Sequence, residues 1–90
     1  MTRAVVADDA VLFREGIARL LVEAGLQIVG QARDLPGLLD LVVELEPELV
    51  VTDIRMPPTH TTEGIEAAKA IRAQYPDVAV LVLSQYTESA

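Results

Sequence analysis

Ninety residues are enough for one small domain and no more. A hydrophobic fraction of 51% argues against disorder, and fourteen Asp plus Glu against seven Lys plus Arg leave a net charge of −7, a poor basis for holding a nucleic-acid backbone. With no cysteine, disulfides and thiolate metal sites are excluded.

Arg3 to Ala7 reads as a first strand, an apolar run without polar alternation of the kind buried on both faces of a parallel sheet. Asp8 and Asp9 follow it. The period then changes, with Leu12, Phe13, Ile17, Leu20, Leu21 and Ala24 at helical spacing and Arg14, Glu15, Arg19 and Glu23 on the other face. Gly25 ends that helix. Gln27 to Ala32 is a shorter, more polar strand that Gly30 weakens, which suits a place near a sheet edge.

Asp34 is placed to cap a second helix, with Pro36 in its first turn and Leu38, Leu39, Leu41, Val42, Val43 and Leu45 as a broad apolar face. Pro47 stops it. Leu49 to Thr52 then runs into Asp53, and the turn RMPPTHTTEG leads through Thr61, Thr62 and Gly64 to a third helix. Ile65, Ala68, Ile71 and Tyr75 line that helix's inner side, and Pro76 and Asp77 break it. Val78 to Leu83 is expected as a fourth buried strand, ending in Ser84. The only histidine, His60, lies in the Pro/Thr-rich turn and reads as a solvated loop residue.

The order β-α-β-α-β-α-β, with right-handed crossovers, gives a parallel sheet with helices on both faces. Neither a signal peptide nor a membrane-spanning run is present in the sequence, so a soluble cytoplasmic protein is expected. Asp53 falls at the carboxyl end of a strand, where open α/β sheets place their ligands. Taken alone, it reads more readily as a turn or capping residue. Asp8 and Asp9 change that balance if strands one and three are neighbours, although one of them also suits a cap for the first helix. Three clustered carboxylates disfavour one another's ionisation, and a hard divalent cation, Mg²⁺ above all, relieves the repulsion.

An acidic pair after strand one, a single Asp with an x-x-Met-Pro tail after strand three, Gly64 at helix three and Ser84 after strand four form an ordered set. This set resembles the receiver domain of two-component response regulators, and ADDAVLFREG, DIRMPPTHTTEG and LVLSQY look like the subclass with a LuxR-type helix-turn-helix output. The resemblance covers residues 1–90 and implies a flavodoxin-like three-layer α/β/α fold of strand order 2-1-3-4-5. It implies phosphoryl transfer from a histidine kinase to Asp53 and Mg²⁺ held by Asp9 directly, Asp8 through water, Asp53, and the backbone carbonyl of Arg55. Ser84 matches the hydroxyl that bonds the phosphoryl group and switches, and Arg55 and Tyr86 match positions that tune its lifetime, though each also reads as a solvated rim residue. A complete receiver carries a further helix, a fifth strand ending in a lysine, and a fifth helix; the chain stops at Ala90, and Lys69 falls in helix three, wrongly placed for that role.

On this footing the sequence reads as a receiver truncated after strand four, with strand five missing, weakened phosphorylation, and a DNA-binding domain absent. Strand four then becomes an apolar edge, and a homodimer or exchange of terminal segments through it is expected. The alternative is a degenerate receiver used for protein interaction or dimerisation without phosphorylation. A dehalogenase-type hydrolase needs a second Asp two positions after the nucleophile, where Arg55 stands, and a transcription factor in its own right lacks a helix-turn-helix.

Overall fold

The computed structural model describes residues 1–84. The elements, in chain order, are β1 Arg3–Ala7, α1 Val11–Glu23, β2 Gln27–Ala32, α2 Leu35–Leu45, β3 Leu49–Asp53, α3 Glu63–Gln74 and β4 Ala79–Leu83. The four strands form one parallel sheet in the order β2-β1-β3-β4. From β1 the chain steps to one side and then returns across it to the other. Right-handed crossovers therefore put α1 on one face and α2 and α3 on the opposite face. α1 contacts β1 and β2, while α2 and α3 pack against each other.

Both faces of the two central strands are buried, which is why β1 and β3 are apolar without alternation. The main core lies under α2 and α3, where Val5, Ala7 and Val50 meet Leu38, Val42, Met56, Ala67 and Ile71. Each fully buried Val, Leu, Ile or Met side chain there contributes about 1.5–3 kcal/mol. α2 starts where expected: Asp34 Oδ1 accepts from the Gly37 N–H at 2.7 Å, with proline in the first turn. α1 is capped at Ala24 and followed by Gly25, whose φ of 94° suits glycine. β2 is an edge strand, and its register slips between Ala4 and Val5 of its neighbour.

Four expectations need correction. The stripe on α1 is not an inner face: Leu12 is 85% exposed, Phe13, Leu20 and Ala24 are exposed too, and the buried residue is Ala18. Among the described residues α1 is the helix that covers β1 and β2 on this face, and only a narrow strip of it meets the sheet. β4 begins at Ala79 and is not buried on both faces; Leu81 is 52% exposed, because β4 is the other edge of the described sheet and lies beyond α1. On α3 the buried apolar side chains are Ala67 and Ile71, alongside Glu63 and Gly64 in the first turn, whereas Ile65 turns outward. Val43 of α2 is likewise exposed. No helix among the described residues is long and apolar enough to cross a membrane.

Candidate metal and phosphoacceptor site

Backbone pairing brings the acidic residues together. Ala7 pairs with Thr52, so the residue that follows each of them, Asp8 just past β1 and Asp53 at the end of β3, stands at the same carboxyl end of the sheet, at the point where strand order reverses. Each of Asp8, Asp9 and Asp53 offers a carboxylate oxygen, and these oxygens all lie within 4.8 Å of one another. Asp8 is wholly buried, Asp53 is 7% exposed, and Asp9 is open to solvent.

Burial is the largest influence raising the Asp8 pKa, and the charges of Asp53 and Asp9 add to it; the Ala10 N–H and the Arg14 guanidinium pull the other way. Asp53 is also raised, first by burial and then by Asp9, against the N–H groups of Arg55 and Ile54 and the Arg55 charge. Two carboxylates that resist ionisation, beside a third, form an all-oxygen donor set suited to a hard cation. The residues therefore fit Mg²⁺.

The surrounding chain holds this edge in place. Asp8 accepts from the Ala10 N–H at 2.9 Å, an Asx turn that precedes α1; the helix cap expected of one of the acidic pair is not made, since the N-cap position is Ala10 and no side chain bonds the first-turn N–H groups. Arg14 donates from Nη1 to the Asp8 carbonyl and from Nε to Gln31. The Ile54 N–H donates to the Leu83 carbonyl, and the Gly64 N–H to the Ile54 carbonyl, so β4, the loop after β3 and the start of α3 are tied at one residue. Asp53 and Leu83 are register partners, which puts Ser84, the following residue, at the same edge as the acidic cluster. Arg55 is exposed beside Asp53. Tyr86 lies outside the described residues.

Two residues after β3, His60 in the loop and Glu63 at the start of α3, are not identified as site elements by the sequence reading. Glu63 is 1% exposed and accepts from the Thr59 N–H at 2.6 Å, the Thr59 hydroxyl and the Thr61 N–H at 3.0 Å. Removal from water would raise its pKa, but these hydrogen bonds outweigh that and hold it at about 2. An acidic residue in the first turn of a helix was the available signal. His60, expected as a solvated loop residue, is exposed yet places Nε2 at 3.1 Å from Asp9 Oδ2. Arg14, assigned only to the outer face of α1, also reaches the site's backbone.

The response regulator receiver domain family matches over residues 4–90, and the chain belongs to that family. It is 40% identical over 81 residues to the transcriptional regulatory protein DegU of Brevibacillus brevis, covering 89% of this chain and 33% of that protein. The signal receiver domain of the putative response regulator NarL from Mycobacterium tuberculosis superposes with a TM-score of 0.82 at 37% identity, over 97% of this chain and 68% of that one. The receiver domain of RcsB from Salmonella enterica serovar Typhimurium, solved with the phosphomimetic BeF₃⁻, gives 0.84 at 25% identity, over 97% and 64%. The chain spans about a third of the length of the DegU relative.

Proposed function

We propose that this chain, as one receiver domain over residues 1–90, accepts a phosphoryl group on Asp53 from a sensor histidine kinase in the cytoplasm. The output we assign is transcriptional regulation through a DNA-binding module, by analogy with DegU. The observation that carries the reading is the convergence of three carboxylates within 4.8 Å at the strand-order reversal. Asp9 and Asp53 would hold Mg²⁺ in this reading, with Asp8 assisting through water and the Arg55 carbonyl as a further oxygen ligand. Bound Mg²⁺ supplies the positive charge that lets a carboxylate approach an anionic phosphoryl group.

The chain's own residues do the rest. An Asp53 carboxylate oxygen forms the new bond to phosphorus as the donor histidine's P–N bond breaks. The N–H groups of Ile54 and Arg55 favour the ionised nucleophile. Ser84, at the end of β4, donates its hydroxyl to the transferred group and moves toward it. The receiver acts as a phosphoacceptor in signalling, and its only chemistry is gain and loss of that group.

Beryllofluoride with Mg²⁺ tests this reading. The Ser84 amide resonance should shift in the wild type and stay fixed in Asp53→Asn; an unmoved Ser84 in the wild type would overturn it.

A second reading rests on exposed apolar side chains. Phe13, Leu20 and Leu81 are exposed on α1 and the β4 edge, and a self-pairing β4 would make a homodimer. Such a chain serves as an interaction module with or without phosphorylation. Persistence of the dimer in Asp53→Asn would separate the two roles.

A further inference from the structure

The three carboxylates of the acidic edge are not held alike. Asp8 is buried and accepts from the Ala10 N–H, and Asp53 is buried beside the N–H groups of Arg55 and Ile54. Asp9 is the exposed member, and burial does not fix its side chain. What it meets is His60, whose Nε2 stands 3.1 Å from Oδ2 of Asp9. His60 lies outside the set of ligand atoms gathered within 4.8 Å of one another, so it bears on a cation through Asp9 rather than by binding it. An exposed pair contributes little when both side chains must be ordered to make it. Here one of the two is ordered in advance.

Glu63 does the ordering. It is 1% exposed, and its carboxylate accepts from the Thr59 N–H at 2.6 Å, the Thr59 hydroxyl and the Thr61 N–H at 3.0 Å, the residues on either side of His60. The His60 N–H donates to the carbonyl of the wholly buried Met56 at 2.8 Å. Glu63 is itself anchored next to the nucleophile, because the N–H of Gly64 donates to the Ile54 carbonyl at 2.9 Å. A buried carboxylate with its hydrogen bonds turned back onto one loop gives that loop a single shape.

We propose that Glu63 and His60 are positioning residues for the cation site: Glu63 holds residues 59–61 in place, and His60 donates from Nε2 to Asp9, fixing that carboxylate beside Asp8 and Asp53. The inference rests on the carboxylate site proposed above. A hydrogen-bonded partner orients a ligating carboxylate before the ion arrives, and losing such a partner typically costs about 10–100-fold in metal affinity. The opposite role would be competition, with the imidazole occupying Asp9 and being displaced by the cation.

The test is calorimetric titration of the whole chain with Mg²⁺, at a temperature where circular dichroism shows every variant folded. His60→Asn removes an exposed imidazole and keeps a residue that accepts the left-handed backbone there, φ 57°, so the fold survives this change whatever Glu63→Gln does. In Glu63→Gln one acceptor oxygen becomes a donor facing the loop N–H groups. Each variant is expected to bind Mg²⁺ about tenfold more weakly, and the double variant no more weakly than Glu63→Gln, since both changes break one chain of contacts. In the metal-free protein, NMR couplings across the Asp9 χ1 bond should report one rotamer in the wild type and averaging in both variants, a readout that lost stability alone would not move. Unchanged or tighter Mg²⁺ binding in either single variant, losses that add in the double variant, or an Asp9 rotamer indifferent to both changes would overturn the proposal while leaving the carboxylate site intact. A wild type that does not bind Mg²⁺, or binding that survives Asp9→Asn together with Asp53→Asn, would overturn the carboxylate site and this inference with it.

Discussion

Gly64 lies so close to Asp53 that a Cβ built on it would stand 2.2 Å from the Asp53 carbonyl oxygen and 2.7 Å from the Ile54 Cα. Glycine at the second position of α3 lets the helix begin directly against the end of β3. The obstruction is backbone, so a larger residue has no side chain to push aside. Gly64→Ala should destabilise the fold by about 1–3 kcal/mol and weaken cation binding by displacing Asp53. Urea unfolding checks the first and Mg²⁺ titration the second; an unchanged midpoint would contradict this account.

Asp8 and Asp53 both have raised pKa values. A carboxyl group of this kind favours the fold while protonated, and that contribution is lost as pH rises from the ordinary value of 3.8 through the raised one. Near neutrality without divalent cation, both groups therefore cost stability. Asp53→Asn should melt higher than the wild type in chelator, by several degrees, since about 1 kcal/mol moves a chain of this size by roughly 4–8 °C. Adding Mg²⁺ should raise the wild-type Tm and narrow the gap. Differential scanning calorimetry reads both effects, and a wild type indifferent to Mg²⁺ would count against the site.

Glu63 has the reverse sign. Its folded-state pKa is about 2 against an ordinary 4.5, so its stabilising effect is present above 4.5 and is lost as pH falls toward 2. Glu63→Gln should be less stable at neutral pH, and its deficit should shrink across that acid range. Urea midpoints measured down the pH series test this, and parallel curves for the two proteins would refute it.

The apolar edge gives a prediction about assembly. If β4 and the exposed α1 residues pair between copies, Leu81→Lys combined with Leu20→Lys should lower the average mass in multi-angle light scattering at high concentration. A wild type that remains monomeric there would remove the dimer reading.

The central strands and the two acidic stations are legible because β1 and β3 are buried on both faces and run directly into carboxylates at their tips. Asp8, Asp9 and Asp53 could be found from an apolar run followed by carboxylate, and their meeting followed from strand order. The α1 stripe misled because helical spacing reports where apolar residues stand, not whether a second layer covers them; Leu12 and Leu20 are apolar and exposed. β4 is expected both as an apolar edge and as a buried strand; the edge position holds in the described sheet, and the burial does not, because α1 contacts β1 and β2 and does not reach β4. Glu63 and His60 were missed for another reason. Their roles depend on a loop folding back on itself and toward Asp9, a non-local contact that carries no periodic signal.

The most direct measurement is intact-mass spectrometry after incubation with a small phosphodonor. The account predicts one added phosphoryl group on the wild type with Mg²⁺, none in chelator, and none on Asp53→Asn. Equal labelling with and without divalent cation, or labelling of Asp53→Asn, would contradict a phosphoacceptor served by three converging carboxylates.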